Sequence, residues 1–206
     1  MMGTYTNPAI AFFDFDGTIT SKDTLVEILK FAKGKFSFYL GMLVLSPVLI
    51  AHKLGLISNH NAKEILLMFF LKGMSADEFN TICYEFAETK LPGLFRKAAL
   101  NEIRAHLKNN TRVVIVSASP ENWILPWCSQ YDLECIATKL NVEDGIITGK
   151  IQGRNCNGKE KVKNILKKYN LSHYTKIYAY GDTTGDLPML SLSTDSYYKP
   201  FKEPAY

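Results

Sequence analysis

AIAFFDFDGT, residues 9–18, is an apolar run that stops abruptly at two aspartates. A run so short, bounded by Pro8 and Gly17, reads as a buried strand over 9–15. Three further β-branched or apolar runs read the same way: TRVVIVS (111–117), LECIAT (133–138) and KIYAY (176–180). Between them, apolar residues recur at helical spacing. Leu100, Ile103 and Leu107 make one such face; Val162, Ile165, Leu166 and Tyr169 make another. Strands alternating with helices imply an α/β fold with a parallel sheet covered on both faces. Asp144-Gly145, between alternating apolar residues, signals a β-hairpin over 140–151. Ser196 to Lys199 is the expected last short strand, followed by loosely held terminal residues.

Residues 20–93 differ from the rest, because no strand pattern occurs there. Leu25, Ile28, Leu29 and Ala32 form one helix face, and Ile65, Leu66, Phe69 and Phe70 a second. Phe79, Ile82, Cys83 and Phe86 form a third, opened by Ser75 and Glu78 as a capping box. The expected organisation is an α/β core of residues 1–19 and 94–206, with an all-helical cap of residues 20–93 inserted after the first strand. Within the insert, KFSFYLGMLVLSPVLIAHK (35–53) has sixteen uncharged residues, 36–51, between Lys35 and His52. A bilayer span needs about 20 apolar residues, and Gly41, Ser46 and Pro47 interrupt this run. The ordinary reading is a buried pair of helices. The sharper one is a surface that dips into a membrane or holds an apolar substrate tail. No acidic residue lies between Glu27 and Glu64, whereas Lys30, Lys33, Lys35, Lys53 and Lys63 do, a balance that suits anionic head groups.

The whole chain has 206 residues, 47% hydrophobic and 21% charged, enough for one core of domain size and a smaller second unit and incompatible with a disordered or fibrous class. A net charge of +4, from 24 basic against 20 acidic side chains, is too small to argue for nucleic acid. Cys83, Cys128, Cys135 and Cys156 have no paired or metal-type spacing and read as free thiols. The start, MMGTYTNP, lacks the pattern of a secretory leader, so the expected location is the cytoplasm, with peripheral contact at the inner membrane face if the apolar surface is used.

Four stretches carry chemistry. Asp14 and Asp16 stand two apart at the carboxyl end of a strand, where open α/β sheets bind ligands. Two carboxylates so close repel unless a cation lies between them or one keeps its proton, and the cation that suits oxygen donors is Mg²⁺. Gly17 lets backbone approach a ligand, and Thr18 adds a hydroxyl. In YGDTTGDLPML (180–190), Asp182 ends another strand and Asp186 lies near a helix start, adding a third and fourth carboxylate. In VVIVSASPEN (113–122), Ser117 ends a strand and Pro120-Glu121 read as the first turn of a helix, which makes an anion cradle or a simple N-cap. A positive charge opposite the aspartates comes from Lys159, Lys161 or Lys163. Lys161 lies at the edge of the buried side of its helix.

Together, and in this order, DFDGTIT, Ser117, Lys161 and GDTTGD resemble the four motifs of the haloacid dehalogenase-like superfamily, over the whole chain. The insert is similar to the cap of the subclass that includes phosphoserine phosphatase. The SASPE and Cys156-x-Gly158-x-x-Lys161 segments, with the apolar cap, are most similar to a phosphatidylglycerophosphatase C-like branch. The resemblance implies a Rossmann-like core and a Mg²⁺-dependent phosphate monoester hydrolase. It implies that Asp14 is the nucleophile and Asp16 the acid and base. Gly17, Thr18, Ser117, Ala118 and Lys161 would bind the phosphoryl group. Asp14, the backbone carbonyl of Asp16 and Asp182 would hold the metal, with Asp186 and Thr183 in support.

The glutamates and arginine by which phosphoserine enzymes hold an amino acid are missing here; residues 20–93 contain no arginine. The expected substrate is therefore a lipid phosphate or another partly apolar monoester. The alternatives are a small polar sugar or amino acid phosphate, or a non-catalytic binding protein of the same fold. No obligate protein partner is indicated.

Overall fold

The computed structural model describes residues 8–202; the readings made on the first seven residues and the last four lie outside them. The first strand, β1 (Ala9–Phe13), ends two residues earlier than the apolar run suggests, because Phe15–Ile19 coils tightly instead. Five helices follow: α1 (Thr24–Lys33), α2 (Lys35–Val44), α3 (Ser46–Lys53), α4 (Asn59–Leu71) and α5 (Ala76–Thr89). Then come α6 (Lys97–Lys108), β2 (Arg112–Pro120), α7 (Leu125–Gln130), β3 (Glu134–Thr138), β4 (Leu140–Glu143) and β5 (Ile146–Ile151). The chain closes with α8 (Lys159–Lys168), β6 (Lys176–Gly181), α9 (Leu187–Leu190) and β7 (Asp195–Tyr198).

The sheet has the order β3-β2-β1-β6-β7, with every neighbouring pair parallel. After β1 the chain builds outward to β2 and β3, then returns to place β6 and β7 on the other side of β1. The crevice between β1 and β6 is thus the switch point at which such sheets bind ligands. One apolar layer unites Ala11, Phe13 and Ile115 with helices of the insert through Ile28, Leu29, Phe79 and Phe86. A second, with Ile10, Phe12, Val114 and Val116, packs under α8 through Ile165 and Tyr169. The alternation along β1 between these two layers is why nearly the whole strand is apolar. The α/β reading with helices on both faces holds.

Several local expectations are corrected. Strand β3 is an edge strand, so all but Thr138 of its residues are only half-buried. Helix α4 is turned relative to the face read from sequence: Ala62, Leu67, Phe70 and Leu71 are buried, while Phe69 is exposed. In α8, Leu166 is exposed, and Tyr169 lies one residue beyond the helix end yet stays buried. Ser75 precedes α5 but its hydroxyl makes no cap; its backbone pairs instead with Ile146 of the hairpin. The final strand starts one residue early, at Asp195. The described residues after it are anchored, since Phe201 stacks on Tyr180 and Phe13.

The hairpin is as expected: β4 and β5 are antiparallel, and Asp144 and Gly145 both take positive φ, as a tight type I′ turn requires. Its neighbours are less expected. Gly73 N–H donates to the Ile147 carbonyl, Ile147 N–H to Met74 and Ala76 N–H to Gly145. The Ile151 amide donates to Glu64 Oε1 at 2.8 Å. The hairpin therefore grips the α4–α5 junction, and a side chain at Gly149 would run into the backbone of Met68. Overpacking against backbone has no cheap relief, so Gly149→Ala is expected to lower unfolding free energy by about 2–3 kcal/mol in urea titrations. An unchanged midpoint would contradict the close helix–hairpin contact.

Candidate active site

Asp14 follows β1 directly, and its amide donates to the Tyr180 carbonyl of β6 at 2.9 Å. That bond fixes the aspartate at the carboxyl end of the sheet beside Asp182, which follows β6. Gly17 then turns the chain with φ of +83°, and a Cβ there would lie 2.5 Å from Asp182 Oδ2. Only glycine allows both the turn and this approach. Arg96 pins the same coil by donating to the carbonyls of Gly17 and Thr20, each at 3.3 Å.

Asp14, Asp182 and Asp186 are all buried, and each offers an oxygen within 4.8 Å of the others. Lys161, in the first turn of α8, reaches in and donates to Asp14 Oδ1 at 2.6 Å and to Asp186 Oδ1 at 2.7 Å. The other oxygen of Asp186 accepts from the Asp182 amide, the Thr183 amide and the Thr183 hydroxyl at 3.2, 2.9 and 2.8 Å. With its acceptors so engaged, Asp186 serves to hold Lys161 and the turn. Asp182 accepts from the buried Thr18 hydroxyl at 3.4 Å and from Lys202 at 2.9 Å.

The proton affinities follow from burial and pairing. Burial pushes the Asp14 carboxyl up to about 7, against the pull of Lys161. Burial also works against ionised Asp186, but Lys161 and the Thr183 bonds outweigh it and hold this carboxyl below its ordinary value. Lys161 is buried too, yet its two aspartates keep it charged, above the ordinary lysine value. Three buried carboxylates face the buried ammonium of Lys161 and the half-exposed Lys202 on Asp182, so once Asp14 is ionised one negative charge is left over on a set of oxygen donors. That chemistry fits a hard divalent cation.

Asp16 stands outside this cluster. Its Oδ1 accepts from the Thr24 amide and hydroxyl, both at 2.6 Å, and Thr24 Oγ1 accepts from Trp123 Nε1 at 2.9 Å. Its Oδ2 faces the Ser117 hydroxyl at 3.4 Å. Ser117 also accepts from the Ser119 amide at 2.9 Å. The cradle read from a helix start at Pro120 is corrected: β2 continues to Pro120 through an irregular register, and only a single turn, Glu121–Trp123, precedes the six-residue α7. Ala118 is half-buried, and its carbonyl accepts from Thr138 Oγ1 at 2.6 Å and Lys63 Nζ at 2.9 Å.

Lys63 is the residue that sequence reasoning misplaced. It belongs to α4 and was grouped with the lysines around the apolar stretch, whereas its ammonium lies at the Ala118 loop and also 3.4 Å from Asn155 Oδ1. Burial lowers its proton affinity, while Asp16 and Asp23 raise it. Asn155 was likewise missed; its amide nitrogen donates to Asn59 at the start of α4 at 2.6 Å. The helical period of α4 places Lys63 one turn before the buried Leu67, the only sequence signal that it points inward.

A pH test follows from the cluster. In the folded chain Asp14 keeps its proton to about pH 7, against an ordinary value of 3.8. Between those values the folded state holds the extra proton, so its stability falls as pH rises. In chelator, wild-type protein should lose about 2–4 kcal/mol relative to Asp14→Asn between pH 4 and 7, read by urea unfolding at each pH. A difference that stays flat would show that Asp14 is not held in this buried state.

The chain and its fold have counterparts among known proteins. The chain is 34% identical over 198 residues to Protein CicA of Caulobacter vibrioides, covering 95% of this chain and 87% of that one. It is 31% identical to a Mycobacterium tuberculosis protein named as a probable phosphatase, over 87% of this chain and 64% of the other. A crystal structure of a Bordetella pertussis protein superposes with a TM-score of 0.82 at 21% identity, over 92% and 89% of the two chains. A phosphoserine phosphatase carrying a phospho-aspartyl intermediate analogue superposes with a TM-score of 0.66 at 17% identity, over 92% and 85%. The family model for haloacid dehalogenase-like hydrolases matches residues 11–191, a span that runs from the strand before Asp14 to the helix after Asp186, and the chain belongs to that family of hydrolases.

Proposed function

We propose that this hydrolase is a Mg²⁺-dependent phosphatase that cleaves phosphate monoesters through an aspartyl-phosphate on Asp14. The observation that carries the reading is the division of labour between the two aspartates of DFD. Asp14 sits in the carboxylate cluster on Lys161, and Asp16 is held apart from it by Thr24.

Asp14 and Asp182, with the backbone carbonyl of Asp16, would hold Mg²⁺, which when bound supplies positive charge against the phosphoryl oxygens and favours the ionised form of Asp14. Lys161 engages Oδ1 of Asp14, which leaves Oδ2 to attack phosphorus. As the Oδ2–P bond forms and the ester P–O bond breaks, Asp16 gives its proton to the leaving oxygen. Asp16 then takes a proton from water as that water attacks phosphorus. The Asp14 Oδ2–P bond breaks, releasing inorganic phosphate and restoring Asp14 as the carboxylate and Asp16 as the acid. Lys161, Ser117 and the Gly17–Thr18 and Ala118 backbone would bind the phosphoryl oxygens as charge develops on them.

Helices α1–α5 act in this reading as the cap that chooses the substrate. Residues 20–93 contain no arginine to hold a carboxylate, and Lys63 is the basic side chain of that segment that reaches the Ala118 loop. A phosphate monoester with an apolar portion, such as a lipid phosphate, suits this insert better than a zwitterionic amino acid.

Asp14→Asn keeps the shape of the side chain but removes the nucleophile. It is expected to lower turnover of p-nitrophenyl phosphate by roughly 10³-fold or more with an unchanged circular dichroism spectrum. Turnover near the wild-type rate in that variant would overturn the covalent mechanism.

A further inference from the structure

Helix α2 is apolar on two opposite faces. Phe38, Gly41 and Leu45 point inward, and a Cβ at Gly41 would meet the Phe70 ring at 2.6 Å. Phe36, Tyr39, Leu40, Leu43 and Val44, spaced as a second helical stripe, are 54–82% exposed. Ile50 on α3, with Leu54 and Leu56 just beyond it, continues the exposed apolar surface. Of the eighteen exposed large hydrophobic residues among the described ones, eight fall within residues 36–56. An apolar concentration of this kind on a water-exposed helix pair marks a contact surface. The expectation of a fully buried pair is thereby corrected.

Length and bend decide what kind of contact it is. The two helices, of ten and eight residues, meet at 60°. At 1.5 Å per residue they extend about 15 and 12 Å, short of a hydrocarbon core of about 30 Å. Among the described residues no single helix is long and apolar enough to cross a membrane; the α2–α3 pair reaches that length and composition only when its two helices are taken together, and the 60° bend makes it an elbow rather than a straight span.

Charge decides the occupant. Lys35 and Lys53 flank the surface and are exposed, Lys33 is half-buried at the end of α1, and none of the three has a carboxylate partner within salt-bridge distance among the described residues. Lys30, by contrast, is paired with Glu27 at 2.9 Å. A second copy of the chain docking here about a two-fold axis would bring like lysine rims together. An anionic lipid surface would pair every one of them while the apolar stripe enters the acyl boundary.

We infer that the α2–α3 elbow is a docking surface for a lipid bilayer bearing anionic head groups, entered by Phe36, Leu40, Leu43, Ile50 and Leu54 and held by Lys33, Lys35 and Lys53. This inference stands apart from the phosphatase reading, since it uses no residue of the carboxylate site.

The test is co-sedimentation of the full chain with vesicles of phosphatidylcholine alone or mixed with phosphatidylglycerol. Wild-type protein is expected to partition onto the mixed vesicles, and less so as salt is raised. The exposed triple variant Phe36→Ser/Leu40→Ser/Leu43→Ser should bind at least about tenfold less. Lys33→Gln/Lys35→Gln/Lys53→Gln should lose roughly fivefold per lysine on mixed vesicles, with no change on phosphatidylcholine. Thermal unfolding and p-nitrophenyl phosphate turnover of both variants should match wild type, which separates lost docking from lost folding. Asp14→Asn should bind vesicles like wild type. Wild-type protein that stays in the supernatant with mixed vesicles, or both triple variants binding them like wild type, would overturn the inference. So would a dimer, seen by sedimentation equilibrium, that the serine variant dissolves while vesicles go unbound.

Discussion

Lys161 between Asp14 and Asp186 is the interaction on which the architecture of the site depends. Two strands that end side by side deliver carboxylates into a buried space, where uncompensated charge is costly. The ammonium at 2.6 and 2.7 Å from two of them makes the arrangement tolerable, although it sits in the first turn of α8, against the helix dipole. The two aspartates respond differently. Asp186, tied down by Thr183, is held ionised, whereas Asp14 keeps a raised proton affinity. Asp14 thereby becomes the member of the cluster whose charge state a bound dication would change.

The fold positions these groups through long-range contacts. Asp14 and Asp182 meet because β1 and β6 are neighbours at the point where strand order reverses. Lys161 comes from the helix packed on one face of the sheet, and Asp16 is oriented from the other side through Thr24 and Trp123. The insert is fastened to the rest by polar contacts as well as by its apolar face. Lys63 and Asn59 meet the Ala118 loop and Asn155, and the β4–β5 hairpin holds the α4–α5 junction.

The sheet, its parallel sense, the hairpin turn and the four chemical stretches were legible in the sequence because each rests on local pattern: apolar run, turn dipeptide, or aspartates after a strand. What escaped was set by tertiary contact. The face that α4 buries is chosen by the hairpin against Met68 rather than by its own weak apolar stripe, which is why Phe69 was misread and Lys63 was assigned to the wrong surface. Ser75 makes no cap, and its backbone bridges to Ile146 across the fold, a contact that no local pattern announces. The roles of Thr24, Trp123 and Asn155 had no sequence signal, since their partners lie from 8 to 99 residues away. For the apolar stretch of α2 the sequence left a buried pair and an exposed surface both open; packing of Phe38 and Gly41 on Phe70 decides which face is buried and which is not.

The surplus negative charge of the cluster is the central claim, and divalent-ion binding measures it most directly. Mn²⁺, a paramagnetic stand-in for Mg²⁺, can be titrated into the chain and followed by electron paramagnetic resonance. The account predicts one site per chain, lost in Asp14→Asn and in Asp182→Asn but retained in Asp16→Asn, whose carboxylate lies outside the cluster. Mn²⁺ binding that is absent from the wild-type chain, or that survives both Asp14→Asn and Asp182→Asn, would contradict it.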